Sequence, residues 1–225
     1  MSVIASLISK RDGVVVSDGR LFGSALLDKG NVAEPATIDS DAFDKTFALG
    51  DGEVIGAFAG LMRFSRKTIS EHVLEIGYSG KYDLQSLATE VEMQMKDRLE
   101  QLDDKEVIFP FRRLDILLVA GANFTRSNMQ IIAIRLYPQE RRIASEVEIC
   151  PAVDRLAYCV RGDEKAWKAA CRIFQANRAP NNDAAFMRKL ITKAVGAGID
   201  ASGTHPHGSD AACGGRIFMR RTFYK

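Results

Sequence analysis

Short apolar runs and longer amphipathic ones divide this chain. Residues 3–9 (VIASLIS) and 14–16 (VVV) are rich in β-branched and small apolar side chains, and Lys10-Arg11-Asp12-Gly13 between them is a turn. The start of the chain therefore predicts a strand hairpin. Residues 21–44 are polar and broken by Gly and Pro, which predicts a long surface loop. Residues 45–49 and 53–58 flank Gly50-Asp51-Gly52 and predict a second hairpin. A helix is predicted from near Leu61, with Leu61, Phe64, Ile69, Val73 and Ile76 roughly on one face, ending at Gly77 or Ser79-Gly80. Residues 84–102 place Leu84, Leu87, Val91, Met95 and Leu99 at near-regular helical spacing and give the clearest helix of the chain. Met93 and Met95 within it read as packing residues.

Residues 114–120 (LDILLVA) and 129–136 (MQIIAIRL) are almost wholly apolar and read as central strands. Residues 142–148 and 155–160 predict two more, followed by helices over roughly 164–175 and 182–196. A loop rich in Gly, Ser and His (197–215) leads to a closing strand over 216–223. The order is four strands, two helices, four strands, two helices and one strand. Strands do not alternate singly with helices, which argues against a doubly wound parallel sheet. Two sheets stacked face to face with helix pairs outside them fit the order. The predicted fold is α+β, a four-layer αββα sandwich built as one domain over residues 1–225.

Composition narrows the function classes. The formal net charge is +2, with no basic footprint for nucleic acid. No apolar run approaches the roughly 20 residues of a membrane-spanning helix. The first residues lack a basic stretch ahead of an apolar one and do not read as a signal peptide. The cysteines are Cys150, Cys159, Cys171 and Cys213, without a C-x-x-C pair, and read as reduced thiols in a cytoplasm. His205 and His207 lie close together in Thr204-His205-Pro206-His207, but two loop histidines with no third ligand nearby read as solvated, so no metal is expected. His72, on a predicted helix, carries no chemical role on this reading. The pairs Arg112-Arg113, Arg141-Arg142 and Arg220-Arg221 read as solvated faces or ring contacts.

The second residue carries candidate chemistry. If Met1 is removed, the chain begins with Ser2, whose hydroxyl can attack while its own α-amine takes the proton. An α-amine has an ordinary pKa of roughly 7.7–8.0, close to the range where a general base is most useful.

Four local patterns then resemble the proteasome β subunits and the bacterial proteasome-like peptidase HslV, both N-terminal nucleophile hydrolases. The first is the interval from Ser2 to Asp18 and Arg20. The second is Lys45 leading through a hairpin to VIGAFAG (residues 54–60), and the third is the strand LDILLVAGAN (residues 114–123). The fourth is Asp210-Ala211-Ala212-Cys213-Gly214-Gly215, where the family carries D-x-x-S-G-G. The resemblance implies a peptidase that works through an acyl-enzyme on Ser2, with Asp18 and Lys45 as an ion pair beside it. It implies that the Gly60 N–H serves the oxyanion and that Asp210 orients groups around the amine. Arg20, Phe58 and Met62 would bind substrate. It further implies a homo-oligomeric ring enclosing the sites, a peptide or protein substrate, an ATP-driven unfoldase as a partner and no cofactor. The chain has no P-loop of its own.

The sequence departs from the family in four places. Serine replaces the usual threonine and lacks the β-methyl that restricts χ1. Arg161, in Val160-Arg161-Gly162, stands where the family has the serine of G-S-G. Cys213 stands where it has the serine of D-x-x-S-G-G, and a thiol hydrogen-bonds more weakly than a hydroxyl. The resemblance implies that both positions fall in the layer behind the reacting groups. The 21–44 loop is also longer than the family's. The alternatives are a ring or scaffold subunit that kept the fold without the chemistry, and an amidase acting on small amides.

Overall fold

A computed structural model of the protein describes residues 2–22, 26–28, 31–34, 38–77, 83–102, 113–121, 129–139, 142–151, 156–177, 183–204 and 210–223. The elements run β1 (Val3–Ile8), β2 (Asp12–Ser17), β3 (Leu21–Phe22), β4 (Leu26–Asp28), β5 (Asn31–Glu34), β6 (Ile38–Ser40), β7 (Thr46–Leu49), β8 (Val54–Gly60), β9 (Arg63–Phe64), β10 (Lys67–Thr68), α1 (Ile69–Ile76) and α2 (Leu84–Glu100). There follow β11 (Leu114–Gly121), β12 (Met129–Gln139), β13 (Arg142–Pro151), β14 (Ala157–Gly162), α3 (Glu164–Ala176), α4 (Ala184–Ala201) and β15 (Phe218–Phe223). The class is mixed α+β, with four helices and several antiparallel sheets among the described residues. None of those helices is long and apolar enough to cross a membrane.

The two main sheets have the orders β14-β1-β2-β15 and β13-β12-β11-β8-β7. The first is seeded by the β1–β2 hairpin. Its turn is held by the Ser9 N–H on the Asp12 carbonyl (2.8 Å) and by the Arg11 and Asp12 amides on the Ser9 hydroxyl (3.3 and 3.0 Å). Every residue of β1 is buried, because both faces of this strand are covered. Val3, Ala5 and Leu7 join a core with residues of α3 and α4. Ile4 and Ile8 join a second core with Ile55, Ala57, Leu117 and Ile131 of the other sheet. The other face of that sheet, through Phe58, Ile116, Leu118 and Ile134, packs on Val73 of α1 and on Leu87, Val91 and Met95 of α2. A strand buried on both faces loses the polar alternation of a half-buried one, which is why β1 and β11 read as nearly continuous apolar runs.

The structure departs from the predicted elements in several places. The predicted 21–44 loop contains the short ladders β3–β6 and β4–β5. The helix predicted from Leu61 begins instead at Ile69. Residues 63–68 form a tight hairpin, β9–β10, whose turn residues Ser65 and Arg66 have φ of 45° and 63°, the left-handed pair that such hairpins require. Thr68 then caps α1 in a reciprocal capping box with Glu71. Strand β12 runs to Gln139, β13 to Pro151, and β14 is shifted to Ala157–Gly162. Helix α4 runs on to Ala201, so the predicted 197–215 loop starts too early. Glycine inside a helix costs about 1 kcal/mol relative to alanine. Gly198 is kept because α3 lies against it: a Cβ there would come within 3.0 Å of the Ala166 carbonyl oxygen.

His72 of α1 joins these elements. Its ring stacks on Phe64 with centroids 3.7 Å apart, its Nε2–H donates to the Phe64 carbonyl (3.1 Å), and its Nδ1 accepts from Arg98 of α2 (3.1 Å). Burial pulls its pKa below the ordinary value. The Phe64 hydrogen bond partly opposes the shift, and the Arg98 guanidinium adds to it. The unfolded chain takes up a proton near pH 6.5, where the folded ring still refuses it. This contribution to stability is therefore complete at neutral pH, falls as pH drops through about 6.5, and stops falling once the folded ring is also protonated. Urea midpoints measured from neutral to mildly acidic pH are expected to drop less in His72→Gln than in the unaltered chain. Equal drops would remove His72 as the source.

Candidate active site

Polar side chains converge where β1 begins and β2 ends. Asp18 follows the last residue of β2 and is fully buried, as is Lys45 just before β7. The Lys45 ammonium donates to Asp18 Oδ1 at 2.9 Å. The same oxygen accepts the Val3 N–H at 3.0 Å, and Oδ2 accepts the N–H groups of Gly214 (3.1 Å) and Arg20 (3.4 Å). The Asp18 N–H donates back to the Val3 carbonyl at 3.1 Å. One carboxylate thus ties together the chain start, the end of β2, the start of β7 and the stretch before β15. Charge-assisted bonds of this kind are roughly twice as strong as neutral ones, and both charges here are held out of water.

Ser2 lies beside this centre and is 1% exposed. Its carbonyl accepts the Asp163 N–H at 2.8 Å. Gly162, the last residue of β14, has φ of 118°, and a Cβ there would lie 1.9 Å from the Ser2 carbonyl oxygen. Only glycine allows that approach. The Arg113 guanidinium donates to the Gly162 carbonyl and also pairs with the buried Asp115, so Arg113 is structural rather than a free surface cation. Among the described residues, the buried hydroxyls of Ser2 and of Ser17, at the end of β2, have no hydrogen-bond partner. A buried hydroxyl without a partner is uncommon and is a feature of reactive sites as well as of strained ones.

The remaining predicted residues divide into two groups. Arg20 and Gly60 lie at the same end of the sheets. Arg20 donates to Asp41 (2.7 Å) and to the Ala211 carbonyl (3.1 Å), and the Asp41 hydrogen bond raises its pKa above the ordinary value. Gly60 closes β8 against the backbone of Arg113, and the Leu61 N–H donates to the Arg113 carbonyl at 3.2 Å. Asp210 is partly exposed and within electrostatic reach of Arg20. Cys213 is buried next to Gly214. Its N–H donates to the Ser202 hydroxyl (3.4 Å), and burial, with Asp18 and Asp163 nearby, raises its pKa so that the thiol stays protonated.

Three others look elsewhere. Phe58 is fully buried in the core under α1 and α2, edge-on to Phe43, so its side chain is core filling and not the wall of an open pocket. Met62 is partly exposed at the margin of that core. Arg161 reaches across to Glu148 of β13 and donates to the Val160 carbonyl (3.0 Å). His205, His207, Arg112 and Arg141 lie outside the described residues. No family model matches this chain, and no curated protein matches it. Among the described residues no group of His, Cys, Asp or Glu gathers to hold a metal ion.

Sequence reasoning missed Ser17, Arg113, Gly162 and Asp163. Only the last pair left a local signal: Gly162-Asp163 precedes a helix, and Asp163 caps α3 by accepting the Ala166 N–H at 3.0 Å. That its own N–H also grips Ser2 depends on β1 pairing with β14, strands more than 140 residues apart.

Proposed function

We propose that this chain is a proteasome-like N-terminal nucleophile peptidase that cleaves peptide bonds through an ester on Ser2 once Met1 has been removed. The observation that carries the reading is the fully buried Asp18–Lys45 pair bonded to the Val3 amide, next to a buried Ser2 hydroxyl with no partner of its own. Ser2 Oγ attacks the scissile carbonyl carbon and passes its proton to the Ser2 α-amine. The amine then delivers that proton to the departing amine of the substrate, leaving an acyl group on Oγ. Water hydrolyses this ester by the same proton path in reverse. A cation near an amine disfavours its protonated form, and Lys45, held by Asp18, has that role here. The Gly60 N–H receives the oxyanion. Three cores, with helices outside two facing sheets, support the four-layer αββα arrangement as one domain over residues 1–225. A homo-oligomeric ring, an ATP-driven unfoldase and a cytoplasmic setting belong to the same reading.

A second reading, a catalytically silent ring subunit, has one observation in its favour: Ser2 is 1% exposed. Intact mass after incubation with a peptide β-lactone separates the two. The peptidase acquires one adduct on a chain lacking Met1, and Ser2→Ala acquires none. A chain that lacks Met1 and stays unlabelled by β-lactones of varied side chain is the silent subunit.

A further inference from the structure

Along one side of the core that the two main sheets share, β13 forms the edge of one sheet and β14 the edge of the other, and side chains meet across this seam. Two side-chain pairs cross it. Arg161 of β14 pairs with Glu148 of β13. Two residues back along β14 and two residues on along β13 stand Cys159 and Cys150, in the same core between the sheets, and each thiol shifts the other's pKa. Both pairs fit one antiparallel alignment of the two edges, in which residues two apart share a face. Both thiols are free, and both belong to the core between the sheets, Cys159 buried within it and Cys150 partly exposed at its margin.

We propose that Cys150 and Cys159 form a dithiol modification site that a small disulfide oxidant of the glutathione class converts into a covalent staple between the two sheets. This stands apart from the peptidase reading. Cys150 is the entry point because only it meets solvent. Its thiolate is also the easier one to form. The neighbouring Cys159 thiol lowers the Cys150 pKa, and the Arg161 cation helps, against burial and the Glu148 carboxylate. Cys159, by contrast, has its pKa raised and waits as a thiol. In the first exchange Cys150 Sγ bonds to one sulfur of oxidised glutathione, the glutathione S–S bond breaks, and one glutathione leaves as thiolate. Cys159 then gives its proton to that thiolate or to water, and its sulfur attacks Cys150 Sγ. The mixed disulfide breaks, and the second glutathione leaves. Two protein thiols are oxidised and one glutathione disulfide is reduced to two thiols. The product fixes the strand that ends at Gly162, on which Ser2 rests.

The test is a non-reducing peptide map of the folded full chain after equilibration in oxidised and reduced glutathione, with free thiols alkylated. The expected result is one peptide pair joined through Cys150 and Cys159, with Cys171 and Cys213 alkylated. Cys159→Ser is expected to stop at a glutathione adduct on Cys150. The proposal is overturned if the folded chain forms no Cys150–Cys159 link under conditions where the urea-unfolded chain oxidises. It is equally overturned if unaltered protein accumulates the glutathione adduct on Cys150 without closing the bridge.

Discussion

Ser2→Ala is expected to fold as the unaltered chain does and to hydrolyse peptide substrates at background rate. The two halves of this result have separate causes. The Ser2 hydroxyl is buried without a hydrogen-bond partner, so its removal leaves no other group unsatisfied. The contacts that hold the residue come from its backbone, through the Asp163 N–H on its carbonyl, and those survive the change. Stability should move by no more than about 1 kcal/mol, as measured by urea denaturation. Activity behaves otherwise under the proposed mechanism, in which the hydroxyl is the attacking atom. Deleting a nucleophile costs turnover on the order of 10³ to 10⁶. A Ser2→Ala protein that unfolds at the same urea concentration and still turns over substrate would remove Ser2 as the nucleophile.

Lys45→Ala is expected to damage both stability and turnover. Removing one partner of a buried ion pair costs about 3–5 kcal/mol, because the surviving charge remains buried without compensation. Here Asp18 keeps the N–H groups of Val3, Gly214 and Arg20, which places the loss toward the low end of that range. Turnover should fall by two orders of magnitude or more if the ammonium keeps the Ser2 amine unprotonated. Stability and chemistry can be separated with Lys45→Met, which keeps most of the volume, combined with Asp18→Asn, which removes the stranded charge. The combined variant should recover part of the lost stability, since replacing both ions relieves the uncompensated burial. It should recover none of the turnover. Turnover that returns together with stability would make the pair a structural feature only.

Much of this architecture was legible along the chain. The Lys10-Arg11-Asp12-Gly13 turn, the Asp51-Gly52 step and the apolar spacing of residues 84–102 act within a few residues of themselves, and hairpins and helices stand at those places. Asp18 and Lys45 are singled out by the family resemblance rather than by any local pattern, and the structure brings them to 2.9 Å. Some misses were also local. The capping box of Thr68 and Glu71 marks where α1 begins, and the apolar spacing running back to Leu61 obscured it. Gly196 and Gly198 pointed to a helix end because their cost is local, whereas the packing of α3 against Gly198 that offsets it is not.

The sequence by itself determined most of the element types and the turns, because backbone propensity, turn chemistry and hydrophobic period act over a few neighbouring residues. Only the tertiary structure decided that Gly162 and Asp163 grip Ser2, that Arg113 braces Gly162, that Phe58 fills a core, and that Cys150 and Cys159 share the core between the sheets. Most of these are contacts between strands far apart in the chain. Their register is set by which apolar faces of two sheets bury each other, and no local pattern records that choice.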